Sequence, residues 1–167
     1  VYVVGNIGNP YTTEALEMTD ESVVVAEVSS FQLETIHDFR PRVSAILNIT
    51  PDHLDRHQTF ERYVSAKSNI FMHQCECDVV VYNDDDKVIK GLVPYMKGEK
   101  IPFSATHPVN GAYLSSGFVC YKGMIVVELA DLDVKGAEIE NVLAAVAVTM
   151  RKGISKFTVA TALCSYK

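Results

Sequence analysis

Four cysteines, Cys75, Cys77, Cys120 and Cys164, are too few for a disulfide scaffold, and none of their spacings is the paired C-x-x-C of a zinc site. They read as reduced core or surface thiols. No apolar run approaches the roughly 18 residues needed to cross a bilayer, and the N-terminus lacks a signal-peptide pattern, so the expected location is the cytoplasm, with no membrane partner. Basic residues are outnumbered, 15 Lys and Arg against 21 Asp and Glu, for a net charge of −6. That balance argues against nucleic acid as a partner. There is no internal repeat and no low-complexity linker. No G-x-x-x-x-G-K-[ST] occurs, nor even a Gly-Lys dipeptide. If a nucleoside triphosphate is held by a P-loop, that loop lies outside these residues. The chain opens on Val1 rather than methionine, which suggests a piece of a longer protein.

What is present is an alternation of strand and helix signals. "VYVVG" (1–5), "SVVVAEV" (22–28), "VSAILNI" (43–49) and "DVVVYN" (78–83) are short β-branched runs, near-continuously apolar, as in strands buried on both faces of a parallel sheet. Helical patterns fall over 12–18, 60–74 and 84–96, the last ended by Pro94, with room for a short crossover helix in "SSFQLETIHDF". This order implies right-handed βαβ units and an α/β doubly wound, mostly parallel sheet with helices on both faces. Later, "KIPFSA" and "AYLSSGFVCYKGMIVVEL" alternate and turn at Ser115-Ser116-Gly117 and Lys122-Gly123, so a small antiparallel flank is expected. Helices at 139–153 and 155–167 finish the chain.

In such a sheet, ligands bind beyond the carboxyl ends of the strands. That rule brings Glu27, the stretch Asn48 to His57, and Asn83 to Asp86 to one rim. On the 60–74 helix, Phe60, Tyr63, Val64, Ile70 and Phe71 form one stripe, and Lys67 sits within it. A lysine on a core face needs a partner, a solvent-reaching stem or a lost charge. It can bind phosphate or react as a neutral amine. His53 and His57, four apart in "DHLDRH", would share a helical face, and Glu27 could complete a zinc site. An oxygen-rich magnesium–phosphate site is equally open on these grounds, as are two solvated histidines. "GNIGNP" (5–10) suits either a phosphate-cradling turn or an ordinary strand-to-helix turn.

Taken together, "VGNIGNP", "AEVSSFQLE", "RPRVSAILNITPDHLDRH", "SAKSNIF" and "VVVYNDDD" resemble, in order and spacing, the central domain of the Mur ligases. The likeness is dense over residues 1–90 and weaker at 139–167. Within the family, "SSFQLE" is similar to the segment of the members that add D-glutamate to UDP-N-acetylmuramoyl-L-alanine. The resemblance implies that 1–167 is part of an ATP-binding central domain, with the P-loop upstream and a C-terminal ligase domain downstream. Such a piece is expected to be inactive alone and monomeric when complete. It further implies an ATP-dependent ligase of peptidoglycan synthesis that works through an acyl phosphate, with the UDP-sugar substrate, D-glutamate and ATP as small-molecule partners.

By the same resemblance Glu27 would hold one Mg2+ near the ATP phosphates and His53 a second, and Lys67 would be carbamylated and would coordinate or orient magnesium. Asn6, Ser29 and Gln32 would contact the UDP-sugar substrate, and Asn83, Asp85 and Asn141 would lie on the nucleotide side. Ala137 and Glu138 stand where the family usually has a His-Asn pair. The alternatives are a related amino-acid or folylpolyglutamate ligase, a zinc hydrolase on Glu27, His53 and His57, and a sugar-nucleotide binding module indifferent to Lys67. Without upstream strands, "VYVVG" or "SVVVAEV" would present an apolar edge.

Overall fold

The computed structural model describes residues 1–166 and divides the chain into two compact units, 1–39 with 51–70, and 40–50 with 71 onward. In the first unit, β1 (Tyr2–Gly5) and β2 (Val24–Glu27) form a parallel pair in which Gly5 lies opposite Glu27. Only glycine permits that end. Gly5 has φ 119°, and a Cβ there would stand 2.0 Å from the Glu27 carbonyl oxygen. The chain then turns so that the Asn6 amide donates to the same oxygen at 2.9 Å.

The helical pattern expected over 12–18 is realised as one turn of helix, α1 (Tyr11–Glu14), continued by a tighter 3-10 turn over Ala15–Glu17. The short helix for which "SSFQLETIHDF" has room is α2 (Ser30–Leu33), which starts at a capping box; the strands on either side of it belong to different sheets, so it is not a crossover within one sheet. The polar stretch after residue 50 contains a further short helix, α3 (Leu54–His57), not expected from sequence. It begins at His53, held in the left-handed region at φ 51°. Helix α4 (Phe60–Met72) follows, with Tyr63 and Ala66 on its buried face.

One expectation fails in this unit. The valines of "SVVVAEV" are not buried on both faces: Val23 and Val25 are 53% and 55% exposed, and Val3 of β1 is 62% exposed. Val4 is fully buried. The two-stranded pair therefore has one covered face, and side chains on the other meet water.

The second unit is built on six strands in spatial order β3 (Val43–Ile46), β4 (Val79–Asn83), β5 (Glu99–Ser104), β6 (Ala112–Ser115), β7 (Phe118–Tyr121) and β8 (Met124–Glu128). The first four run parallel, and β7 runs antiparallel to both of its neighbours, β6 and β8. "KIPFSA" thus belongs to the parallel run rather than to the antiparallel flank. Alternation reports which face is buried and is silent on strand direction. The flank begins one strand later, at hairpins turning through Ser116-Gly117 and Lys122-Gly123, each with positive φ at both central residues.

Helix α6 (Glu138–Arg151) lies on this sheet, burying Val142, Leu143, Ala144, Val146 and Ala147 against Val79, Val81, Ile101 and Phe103. The alanines keep the helix close to the strands, and each fully buried Leu or Val contributes about 1.5–3 kcal/mol. Val80 points to the opposite face and is also fully buried, so both faces are covered. Helix α7 (Lys156–Ser165) packs on α6 and β8. The helix expected over 84–96 is shorter: α5 (Lys87–Leu92) is capped by Asp86 and passes into a 3-10 turn at Val93–Tyr95. Among the described residues, no helix is long and apolar enough to cross a membrane.

Candidate functional site

In the first unit, the carboxyl end of β2 opens into a cleft of about 270 Å³ whose lining includes Gly5, Tyr11, Glu27, Gln32 and Phe39. Glu27 is exposed there rather than buried in its valine run. Ser29, two residues after β2, organises α2. Gln32 N–H donates to Ser29 Oγ at 3.3 Å, and Ser29 N–H donates to Gln32 Oε1 at 2.9 Å. Each satisfies an amide that a helix start would leave orphaned. Ser29 and Gln32, expected as substrate contacts, therefore also build the helix end that borders the cleft. Asn6 is exposed on the adjoining turn, its amide on the Glu27 carbonyl.

His53 is half exposed, donates its amide to Asp52 Oδ1 at 2.8 Å, and sets its ring 5.1 Å from that of Phe31 in α2. Lys67 is half-buried on α4, its Nζ 5.3 Å from the centroid of the Tyr63 ring. The helical-face reading of Lys67 as a partly buried lysine agrees with this position.

His57 does not match the expectation of a solvated loop histidine. Its side chain is inaccessible, with Nε2 3.0 Å from Ser30 Oγ and the ring stacked on Phe31 at 5.1 Å. Its Nδ1 lies 3.0 Å from Glu34 Oε1, an ion-pair distance without hydrogen-bond alignment. A ring so enclosed is unavailable as a ligand beside His53. Among the described residues, no three donors from Glu27, His53 and His57 come together; the one such group is Cys75, Cys77 and Asp78.

In the second unit, a cleft of about 360 Å³ lies beyond the carboxyl ends of β3 and β4, lined by Asn48, Thr50, Asn83, Asp85, Asp86 and Glu140. Asn83 is buried; its Nδ2 donates to the Leu47 carbonyl at 2.9 Å, and its Oδ1 accepts the Asp85 amide at 2.9 Å. Asp86 accepts from the Val88 and Ile89 amides at 2.8 and 3.0 Å and from Ile49 N–H at 2.8 Å, joining the helix start to the segment after β3.

Asp85 accepts from Ser104 Oγ at 2.8 Å, from Thr106 Oγ1 and from the Ala105 amide at 2.7 Å. Burial by itself would push its carboxyl up; the hydrogen bonds from Thr106, Ser104 and Ala105, with His107 nearby, outweigh it and hold the group below the ordinary carboxylate range. Asn141 is exposed on α6 and does not line this cleft, whereas its neighbour Glu140 does. Sequence reasoning missed Glu140 and the Ser104–His107 loop. Placing "KIPFSA" in the parallel sheet would have pointed to that loop as another strand's carboxyl end.

Residues 3–149 match the Mur ligase middle domain. The chain is 46% identical over 169 residues to the UDP-N-acetylmuramoylalanine--D-glutamate ligase of Caldanaerobacter subterraneus subsp. tengcongensis, covering 100% of the chain and 38% of that relative. It is 46% identical over 157 residues to the ligase of the same description from Clostridioides difficile, covering 88% of the chain and 34% of the relative. The chain thus spans a little over a third of these relatives. Among solved structures, the MurF ligase of Thermotoga maritima in complex with ADP superposes with a TM-score of 0.67 at 20% identity, over 99% of this chain and 42% of that one. That likeness is one of fold.

Proposed function

Because the chain belongs to the Mur ligases through their middle domain, we propose that it is the central part of the enzyme that joins D-glutamate to UDP-N-acetylmuramoyl-L-alanine in peptidoglycan synthesis, driven by ATP. The observation that carries the reading is the meeting of Glu27 and Gln32 in one cleft at the end of β2, within the "SSFQLE" segment. The 46% identity to relatives described as D-glutamate ligases supports it over other amino-acid ligases.

In the proposed reaction the γ-phosphoryl group of ATP passes to the alanyl carboxylate, giving an acyl phosphate and ADP. The amine of D-glutamate attacks the acyl carbon, and phosphate leaves from the tetrahedral intermediate. The chain's part is positioning and charge management. The donor set fits magnesium: it takes oxygen ligands, keeps several waters and needs only one or two carboxylates besides phosphate, and Glu27 offers an exposed carboxylate at the cleft. Glu27 would hold one ion and His53 a second, and Lys67, half-buried beside Tyr63, would add an oxygen donor once carbamylated. When bound, magnesium screens the charge that builds between phosphoryl group and carboxylate. Gln32, Ser29 and Asn6 would orient the UDP-sugar substrate. In the second unit Asn83 and Asp85 would shape the nucleotide side, and exposed Asn141 would reach ATP from α6.

The test is phosphate release by the complete protein with ATP, Mg2+, the UDP-sugar substrate and each candidate amino acid. Release is expected with D-glutamate and is expected to fall at least about a hundredfold in Glu27→Ala and Lys67→Ala, as for removal of a charge-stabilising group. Equal turnover with folate and glutamate, or indifference to Lys67, would overturn the assignment.

A further inference from the structure

Outside both clefts, the turn before β4 carries two thiols that the ligase reading does not use. Cys75 and Cys77 flank Glu76 with their Sγ atoms 2.6 Å apart. The backbone holds them so: Asp78 N–H donates to the Cys75 carbonyl at 3.0 Å, and Cys75 N–H donates to Asp78 Oδ2 at 2.9 Å. Arg40 is fixed by Nε on Asp78 Oδ2 at 2.7 Å and turns Nη2 onto both sulfurs, 2.8 Å from Cys75 and 3.2 Å from Cys77. Arg42 adds a longer contact to Cys77 at 3.9 Å. Cys77 is exposed and Cys75 half-buried, whereas Cys120 is buried.

The sulfurs and the Asp78 carboxylate lie close enough together to suggest a cation site. Arg40 argues against it. A metal ion would meet a fixed guanidinium donating to the very lone pairs it needs. The Cys77 thiol is raised from its ordinary value, first by its hydrogen bond with Cys75 and then by burial and the Asp78 carboxylate, with Arg40 a lesser opposing effect, so it is the closeness of the two sulfurs that favours exchange.

We propose that Cys75 and Cys77 form a thiol–disulfide exchange site, at which a low-molecular-weight disulfide oxidises the pair to an intrachain disulfide across Glu76. Cys75, nearest Arg40, gives its proton to solvent and attacks one sulfur of the small disulfide, whose S–S bond breaks; the departing thiolate takes a proton from water. Cys77 then gives its proton to solvent and attacks the Cys75 sulfur, forming the protein disulfide and expelling the second small thiol. Two protein thiols are oxidised and one small disulfide is reduced to two thiols. Proximity makes the second step fast, so the mixed disulfide does not accumulate. The closed ring fixes the turn that leads into β4, while Asp78 retains Arg40.

The experiment is mass spectrometry of the whole folded chain after exposure to oxidised glutathione, with exposed Cys164 as the internal reference. The peptide holding both cysteines is expected to lose about 2 Da and carry no adduct, while Cys164 carries one glutathione. In Cys77→Ser the adduct is expected to remain on Cys75. Stable glutathione adducts on Cys75 or Cys77 of the unaltered chain would overturn the proposal. So would a pair that stays reduced when Cys164 is fully modified. No ligase activity is read, so this result and the test of the ligase assignment stand apart.

Discussion

At the scale of single residues, the most consequential placements are those of His57 and Asp78, each buried with partners far along the chain. His57 fills the space between Ser30, Phe31 and Tyr63. His57→Ala removes the ring and leaves the buried Ser30 hydroxyl without its partner, which should cost about 2–4 kcal/mol in urea unfolding. His57→Gln, which restores a polar partner, should recover part of it. Asp78 is held down to about 2 by the Arg40 hydrogen bond, reinforced by the Cys75 amide, against a burial effect that pushes the other way. Its folded value lies below its ordinary 3.8. The unfolded chain therefore binds this proton first, and the contribution is full above about pH 4 and disappears as pH falls toward 2. Asp78→Asn should lower stability at neutral pH and flatten the acid limb, so that its urea midpoint and that of the unaltered chain converge near pH 2. Neither residue was legible in sequence. Ser30 and Arg40 are 27 and 38 positions away from the groups they bind, and no local pattern carries such a pairing. Lys67 was legible because its neighbours recur on the same helical face.

At the scale of elements, the sequence is clearest where a turn demands particular residues. The Ser116-Gly117 and Lys122-Gly123 hairpins and the long α6 are all visible as patterns, whereas for α2 the sequence shows only room for a short helix. The short α3 was hidden because four residues cannot display a helical period, and its entry through left-handed His53 has no composition signal. The run Asp84 to Asp86 looked like the acidic first turn of a longer helix. Only Asp86 serves the helix, as the cap of α5; Asp84 is spent on His107 and Lys90, and Asp85 on the Ser104 loop. The capping box carries an element-scale prediction. Ser29→Ala should cost about 1 kcal/mol, the usual loss at an N-cap, and should shift the Gln32 amide resonance, since that amide loses its acceptor. In the second unit Leu143→Ala, at a fully buried site of α6 against the sheet, should cost about 2–5 kcal/mol by the same denaturation assay.

For the whole molecule, the uneven distribution of buried surface matters more than its total. The first unit has only a small core, and its two-stranded sheet leaves Val3, Val23 and Val25 more than half exposed on one face. The second places six hydrogen-bonded strands beneath α6, with Val80, Val81 and Phe103 fully buried. Opening free energies within one chain follow such differences in local burial. Amides of β1 and β2 should therefore exchange with deuterium well before those of β4 and β5, by about tenfold or more at neutral pH, a gap of roughly 1.4 kcal/mol in opening free energy. Equal protection in the two sheets would mean that they open only together. The candidate metal-holding carboxylate of Glu27 ends the two-stranded sheet. If Glu27 binds magnesium, saturating Mg2+ should slow exchange in β1 and β2 and leave β4 and β5 unchanged, because a ligand stabilises the structure that holds its donors.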